Sequence, residues 1–312
     1  MLTAWGFNVL KGDFVATLRS LCFTALVFAI LSLSLSACTR TQSPEQISKL
    51  REMPTLVAIP HSIFYIGSAE PQREAAYHID EDAYGSPVTH QQNWYEHELP
   101  RQKVRVNKFF ITQTPITNYQ YGAFIKDTHR EAPDVDIVDW NAYGVNHSYE
   151  STRKYAWGPE GYPVGRDEHP VVLVSYDDAR SYAQWLSVKT KKYWRLPSEN
   201  EWELAARGLD GRAYPWGNNF NPAKANTSDL GPHDTLPVGS FPRGASPFGV
   251  FDMAGQVYEW TTTPGEKGRM VVKGGAWDDR GCGVCRAAAR HHRRADMKHT
   301  IIGFRLVQEA KN

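Results

Sequence analysis

Lys273-Gly-Gly-Ala-Trp-Asp-Asp-Arg-Gly-Cys-Gly-Val-Cys-Arg-Ala-Ala-Ala-Arg290, followed downstream by Ile302-Gly-Phe-Arg-Leu-Val307, concentrates the chemistry of this chain. It holds a Cys-x-x-Cys pair, Cys282 and Cys285, six basic side chains between Arg280 and Lys298, and the adjacent His291 and His292. Two thiols at this spacing can close a small disulfide, chelate one soft ion, or cycle between dithiol and disulfide. Arg280, Arg286 and Arg290 would stabilise a thiolate electrostatically. Cys285 can equally be a small buried hydrophobe. Neighbouring strand residues point to opposite faces, so His291 and His292 are not expected to share a metal, and with His299 they read as solvated or hydrogen-bonded side chains in a basic loop.

Outward from this run, 24 Gly, 19 Pro, 10 Trp and 15 Tyr describe many turns and short elements pinned by large rings, which predicts a loop-rich α+β fold with little regular secondary structure. A length of 312 residues suffices for one large domain or two modest ones. A formal charge of +1 gives no ground for a nucleic-acid partner.

The N-terminus carries an address. Lys11 and Arg19 precede an apolar run from Leu21 to Leu35, which ends in Leu35-Ser36-Ala37-Cys38. This resembles a bacterial lipoprotein signal, which implies removal of residues 1–37, lipidation of Cys38 and attachment to the membrane through that lipid. The run is shorter and richer in Ser than a spanning helix of roughly 20 apolar residues. Thr39, where an Asp would signal inner-membrane retention in Gram-negative lipoproteins, implies the outer membrane. The expected location is the bacterial cell envelope, facing the periplasm. Residues 38–55 read as the lipidated Cys and a polar tether, and 56–308 as the folded domain. Cys282 and Cys285 are then the only thiols of that domain.

Within the domain, Val57-Ala-Ile-Pro60 and Ile63–Gly67 read as short strands. Ala69–Pro100 lacks helical period and reads as a surface insertion. Val104, Val106 and Phe109-Phe110-Ile111 read as one half-buried strand. Capping boxes at Thr117/Gln120 and Ser198/Glu201, and the cap at Ser175, predict helix starts, with Gly208 as a terminator. Ala179, Tyr182, Ala183 and Leu186 form one helix face. The irregular stretch 128–165 is expected to pack through Trp140, Tyr143, Tyr149 and Trp157.

Four ordered motifs carry a resemblance: Trp194-Arg-Leu-Pro-Ser-Glu-Asn-Glu-Trp-Glu-Leu-Ala-Ala-Arg-Gly208, Tyr214-Pro-Trp-Gly-Asn218, Pro247-Phe-Gly-Val-Phe-Asp-Met-Ala-Gly-Gln-Val-Tyr-Glu-Trp260 and the final Gly-Phe-Arg. The chain resembles the formylglycine-generating enzyme (sulfatase-modifying factor, FGE-sulfatase) family from about Leu56 to Val307. That resemblance implies a C-type-lectin-like fold. It also implies structural Ca²⁺ held by Asp252, the Gly255 and Val257 carbonyls and Glu259, hard oxygen donors at close spacing. A second Ca²⁺ would use Asn226 and the Thr227 carbonyl, with Asp229 or Asp234 as its acid.

Members of that family oxidise a sulfatase cysteine with O₂ at Cu(I) held between two cysteines five residues apart, a soft ion on soft ligands. Here the second cysteine aligns with Cys282, whereas the first falls near Trp277 or Asp279, and the active-site Ser is Ala276. Cu(I) or another soft metal is therefore doubtful. The sequence leads to an envelope-anchored, FGE-like protein of oxidoreductase type, acting on a periplasmic peptide or small molecule through Cys282 and Cys285. The alternative is a non-catalytic binding or scaffold module of the same fold.

Overall fold

The computed structural model describes residues 51–310. The signal, Cys38 and most of the tether lie outside the described residues. Among those described, no helix is long and apolar enough to cross a membrane.

Three small sheets carry the framework. Strands β1 (Leu56–Ile59), β4 (Phe109–Thr112), β10 (Val307–Glu309) and β5 (Trp194–Arg195) form an antiparallel sheet in that order, with the C-terminal β10 inside it and the N-terminal β1 at one edge. Strands β2 (Ser62–Ile66) and β3 (Gln102–Val106) make a separate ribbon. The third sheet runs β8 (His291–Arg294), β7 (Arg269–Lys273), β6 (Tyr258–Pro264), β9 (Ile302–Gly303), with β9 parallel to β6. In β2 the alternation is clean: Ser62, Phe64 and Ile66 face inward while Ile63 and Tyr65 face out. Residues 102–112 are two strands and not one, because the exposed Asn107 and Lys108 break the apolar run and β3 and β4 then join different sheets.

Helices start where caps place them. Thr117 and Gln120 cap α3 (Asn118–Thr128). At α6 (Tyr176–Thr190) the Ser175 hydroxyl accepts from the Asp178 N–H at 3.1 Å while Asp178 accepts from the Ser175 N–H, also at 3.1 Å. Ala179, Tyr182, Ala183 and Leu186 are its buried face, as the spacing predicts. α7 (Glu199–Arg207) begins at Ser198 and stops at Gly208, whose φ of 69° favours glycine. The stretch 128–165 contains the short α4 (Ile137–Ala142) and α5 (Tyr149–Thr152), with Trp140 and Trp157 buried.

The segment 69–100 overturns its sequence reading as an aperiodic insertion. It contains a 15-residue helix, α1 (Glu70–Tyr84), entered through Pro71 and closed by Gly85, and then α2 (Val88–Gln91). Its buried side chains are Ala76, Tyr77 and Asp80, a narrow stripe that includes a carboxylate. An apolar-period search finds no face there. Tyr95 donates to Asp80, Asp80 accepts from the Gly283 N–H at 2.7 Å, and this clamps α1 onto the loop that carries the cysteines.

Candidate functional site

The charged motif residues build a support beneath that loop. Lys273, fully buried at the end of β7, places Nζ 3.3 Å from Glu199 and 3.2 Å from Glu203, while Arg207 meets Glu203 at 2.7 Å. Arg195 grips Glu201 through two bonds of 2.7 Å. Buried charges persist only when paired in this way. They fix the end of β7, from which Gly274 and Gly275 lead into the loop. Gly275 has φ 74°, and a Cβ there would stand 2.5 Å from Cys285 Sγ, so this glycine lets the loop lie against the cysteines.

Cys282 and Cys285 are joined by a disulfide, and both are fully buried. The Tyr214 hydroxyl donates to the Cys282 carbonyl at 3.2 Å. The expected arginine activation of a thiolate is not what this loop contains. Arg286 is buried against Glu98 and Arg290 pairs with Glu199 at 3.0 Å, so both guanidiniums already have carboxylates. Among the described residues, no group of three or more His, Cys, Asp or Glu is arranged to hold a metal.

Beside this loop opens a cleft of about 1060 Å³ lined by both acidic and basic side chains. Asp278 and Asp279 line it, with His147 from the loop after α4 and Tyr258 from β6. His147 Nε2 lies 3.0 Å from Asp278 Oδ2. That loop is itself held in place, because the Trp140 indole N–H donates to the His147 carbonyl at 2.8 Å. Asp279 accepts from the Ala276 N–H at 2.7 Å and from the Tyr258 hydroxyl. The other carboxylate oxygen of Asp278, Oδ1, is buried without a hydrogen-bond partner. Burial pushes both carboxyls upward, and the charge of Asp278 pushes Asp279 further. Two such neighbours cannot both ionise freely.

Of the solvated or hydrogen-bonded histidines that the sequence predicts, the structure gives the hydrogen-bonded kind at His299, buried with Nδ1 accepting from the Ile301 N–H at 3.2 Å, and at His292, whose Nδ1 accepts from the Glu266 N–H at 3.4 Å. His291 and His292 both line the cleft but meet different partners: His291 stands edge-on to Tyr258 at 5.4 Å, and His292 tilts against His97 at 5.6 Å. The Nε2 atoms of both are buried and unpartnered. Burial holds His291 well below the usual imidazole range, and burial lowers His147 as well. His299 is also buried, lies 4.8 Å from the Trp140 ring, and is lowered to about 3 by burial. These rings are therefore neutral at physiological pH.

The expected calcium ligands are placed differently. Glu259 accepts from the Trp202 indole N–H at 2.6 Å and from Arg305 at 2.6 and 2.8 Å. Both groups are wholly buried, and the guanidinium supplies the positive charge that a cation would bring. Asp252, pushed up to about 6 by burial, accepts from the Gly239 N–H at 2.7 Å. Both carboxylates of the expected donor set thus already have protein partners, while the Gly255 and Val257 carbonyls lie in the buried segment between them. At the second set, Asn226 Oδ1 is buried without a partner, while its amide donates to the Asp234 carbonyl and Gln256. The acids there are taken: Asp229 by Thr227 and the Gly281 N–H, Asp234 by Arg166, Lys154 and Tyr155. The Thr227 carbonyl accepts from Gly231.

Sequence reasoning passed over Asp278 and Asp279 as sites. The one available signal was that Asp279 falls where the resemblance expects the first metal-binding thiolate.

A loop-rich α+β domain carries a Gly-Gly turn that leads into a disulfide-closed cysteine loop with a cleft beside it. The family model for the sulfatase-modifying factor enzyme 1-like domain matches residues 42–310, and the chain belongs to that FGE-sulfatase family. It is 32% identical over 268 residues to the formylglycine-generating enzyme of Streptomyces coelicolor, covering 68% of this chain and 82% of that one. It is 30% identical over 251 residues to the inactive C-alpha-formylglycine-generating enzyme 2 of Mus musculus, covering 68% and 79%. Among solved structures it is similar to PvdO from Pseudomonas aeruginosa, with a TM-score of 0.62 and 26% identity over 83% of this chain and 95% of that one.

Proposed function

We propose that the mature chain is a lipid-anchored FGE-family protein of the bacterial envelope that holds a periplasmic peptide or small molecule in the cleft, and that it does not generate formylglycine by the copper route. One observation carries this reading: the two cysteines are bonded to each other and buried, while carboxylates, imidazoles and aromatic rings line the cleft beside them. Cu(I) selects soft thiolates, and hard carboxylates do not replace a thiolate pair. That a mouse relative of similar identity bears the name of an inactive enzyme supports use of this scaffold without that reaction. An oxidoreductase role through Cys282 and Cys285 is the second reading, supported by the disulfide itself, and it requires a reductant to reach a buried bond.

The test is a Cu(I) titration of purified protein against a competing chelator without thiol reductant, together with conversion of a sulfatase peptide carrying the target cysteine. No uptake and no aldehyde are expected. Stoichiometric Cu(I) retained against the chelator would overturn the proposal. For the anchor, Cys38→Ala is expected to abolish palmitate labelling, and labelling that persists would remove the lipoprotein assignment.

A further inference from the structure

We infer that the outward face of the β2–β3 ribbon is a membrane-docking surface, which seats the domain on the anionic phospholipid headgroups of the membrane that holds its lipid. This rests on the lipid-anchor reading above and adds a second contact, made by the protein itself. In the ribbon Ile63 stands opposite Arg105 and Tyr65 opposite Lys103, so these four side chains share one face. That face is turned to solvent. Lys103 and Arg105 are exposed, and Ile63 and Tyr65 are 56% and 36% exposed, while Phe64, Ile66 and Val106 on the other face are buried. Arg101 extends the outward face, its guanidinium 4.6 Å from the centre of the Tyr65 ring, and Lys103 Nζ lies 5.4 Å from the same ring. Lys108, in the turn from β3 to β4, lines a small hollow with Arg105. The acids of that hollow, Glu201 and Glu309, are both taken by Arg195.

Charge selects the partner. The whole chain is near balance, with 35 Lys and Arg against 34 Asp and Glu. The segments that build the ribbon, 56–68 and 101–108, contain no acid, and the second carries Arg101, Lys103, Arg105 and Lys108. Among the described residues, none of these four cations is paired with a carboxylate. Unpaired cations around an exposed Ile and Tyr match an anionic lipid surface: the cations meet the headgroups, and Ile63 and Tyr65 reach the boundary where apolar and aromatic side chains settle. An acidic protein would also satisfy the charges, but the course of the chain favours the membrane. β1 and β2 directly follow the tether, and residues 38–50, outside the described ones, can extend at most about 45 Å from a lipid on Cys38. The ribbon is thus kept close to the bilayer, where its effective concentration toward the headgroups is high. One acylated end with one basic patch makes a two-signal anchor.

The test uses the full chain purified from membranes, with the environment-sensitive fluorophore NBD on Ile63→Cys, added to vesicles of phosphatidylcholine alone or with phosphatidylglycerol. Cys282 and Cys285 are bonded to each other and do not take the label. A blue shift and a rise of emission are expected on the phosphatidylglycerol vesicles only, and both are expected to disappear at about 1 M salt, where charges are screened beyond about 3 Å. Each cation at such a surface is worth about fivefold in the docking equilibrium, so Lys103→Ala/Arg105→Ala is expected to lower it about 25-fold. Both side chains are exposed and without a carboxylate partner, so circular dichroism is expected to show an intact fold. The same label on Leu230→Cys, an exposed apolar side chain outside the ribbon, is expected not to shift. No shift at position 63 on anionic vesicles would overturn the docking face, as would an equal shift on neutral vesicles, an equal shift at position 230, or an unchanged equilibrium in the double variant. Flotation with neutral vesicles reads the lipid separately. A chain that fails to float there but shifts on anionic vesicles would refute the anchor and keep the ribbon; one that floats with both and never shifts would refute the ribbon and keep the anchor.

Discussion

Two regions of this molecule use the same side-chain chemistry to opposite ends. Under β7, Lys273, Glu199, Glu203 and Arg207 lie in one buried network, and beside it Arg305 closes on Glu259; every charge has a partner within hydrogen-bond reach. In the cleft, Asp278, His291 and His292 are only half-buried, yet each has one buried oxygen or nitrogen without a hydrogen-bond partner. The first arrangement stabilises because every desolvated group is paired, and the family motifs that announce the fold are largely its members. The second leaves desolvated polar atoms unpaired, which costs the fold stability. Motif residues thus specify the scaffold, while the cleft residues beside them carry what is particular to this chain.

The comparison breaks most visibly at Glu259. Glu259→Gln strips the wholly buried Arg305 of its counter-charge, and the loss of stability is expected to be about 3–5 kcal/mol in a urea melt. If calcium held Glu259, added Ca²⁺ would raise the wild-type melting temperature and not that of the variant. With Arg305 in the place of a cation, neither is expected to respond. A Ca²⁺-dependent rise in wild type would show that Arg305 exchanges for the ion.

A smaller effect is expected from Cys282→Ala/Cys285→Ala. A bridge across so short a loop restrains little of the unfolded chain, and loop-closure arithmetic gives about 2 kcal/mol. Ligand binding in the cleft is expected to persist in this variant. Its loss, with the fold intact by circular dichroism, would return the cysteines to the centre of function.

What was legible in the sequence follows the same division. The capped helices at Ser175 and Ser198 and the alternating β2 were readable because local hydrogen bonding and period specify them. The motif series was readable because it makes the buried network. α1 was not, since it turns Asp80 rather than an apolar side chain toward the core and is held by the loop two hundred residues away. The cleft was harder still. Trp94, His147, Tyr258, Asp278 and His291 come from five separated segments, and nothing local to any of them records their meeting. Asp279 was named only as the wrong residue for a metal site; its burial and its hydrogen bonds from the Ala276 N–H and the Tyr258 hydroxyl are properties of the folded chain.

Asp279→Asn sharpens the cleft side through pH. Burial and Asp278 raise this carboxyl, so the native state keeps a proton that the unfolded chain releases near pH 4. The native state then binds more protons than the unfolded one, and stability is fully present below the unfolded value and falls as pH rises toward and past neutrality. Asparagine cannot ionise. In urea melts at pH 5 and pH 8, wild type is expected to lose stability between the two and the variant to lose less. Equal losses would mean that Asp279 ionises in the native state without penalty.

The smallest effect belongs to a third regime, a paired charge in water. Arg153 reaches Asp134 at 2.6 Å, but the two side chains remain 38% and 45% exposed. Solvent and salt screen such a pair, and Asp134→Ala is expected to cost about 0–1 kcal/mol, less at high ionic strength. This bond is as short as the one between Arg305 and Glu259, at 2.6 Å, so the two variants compare like geometry at unlike burial. If Asp134→Ala cost as much as Glu259→Gln, distance and not desolvation would govern the charges of this protein. The contrast between its buried network and its cleft would then lose its physical basis.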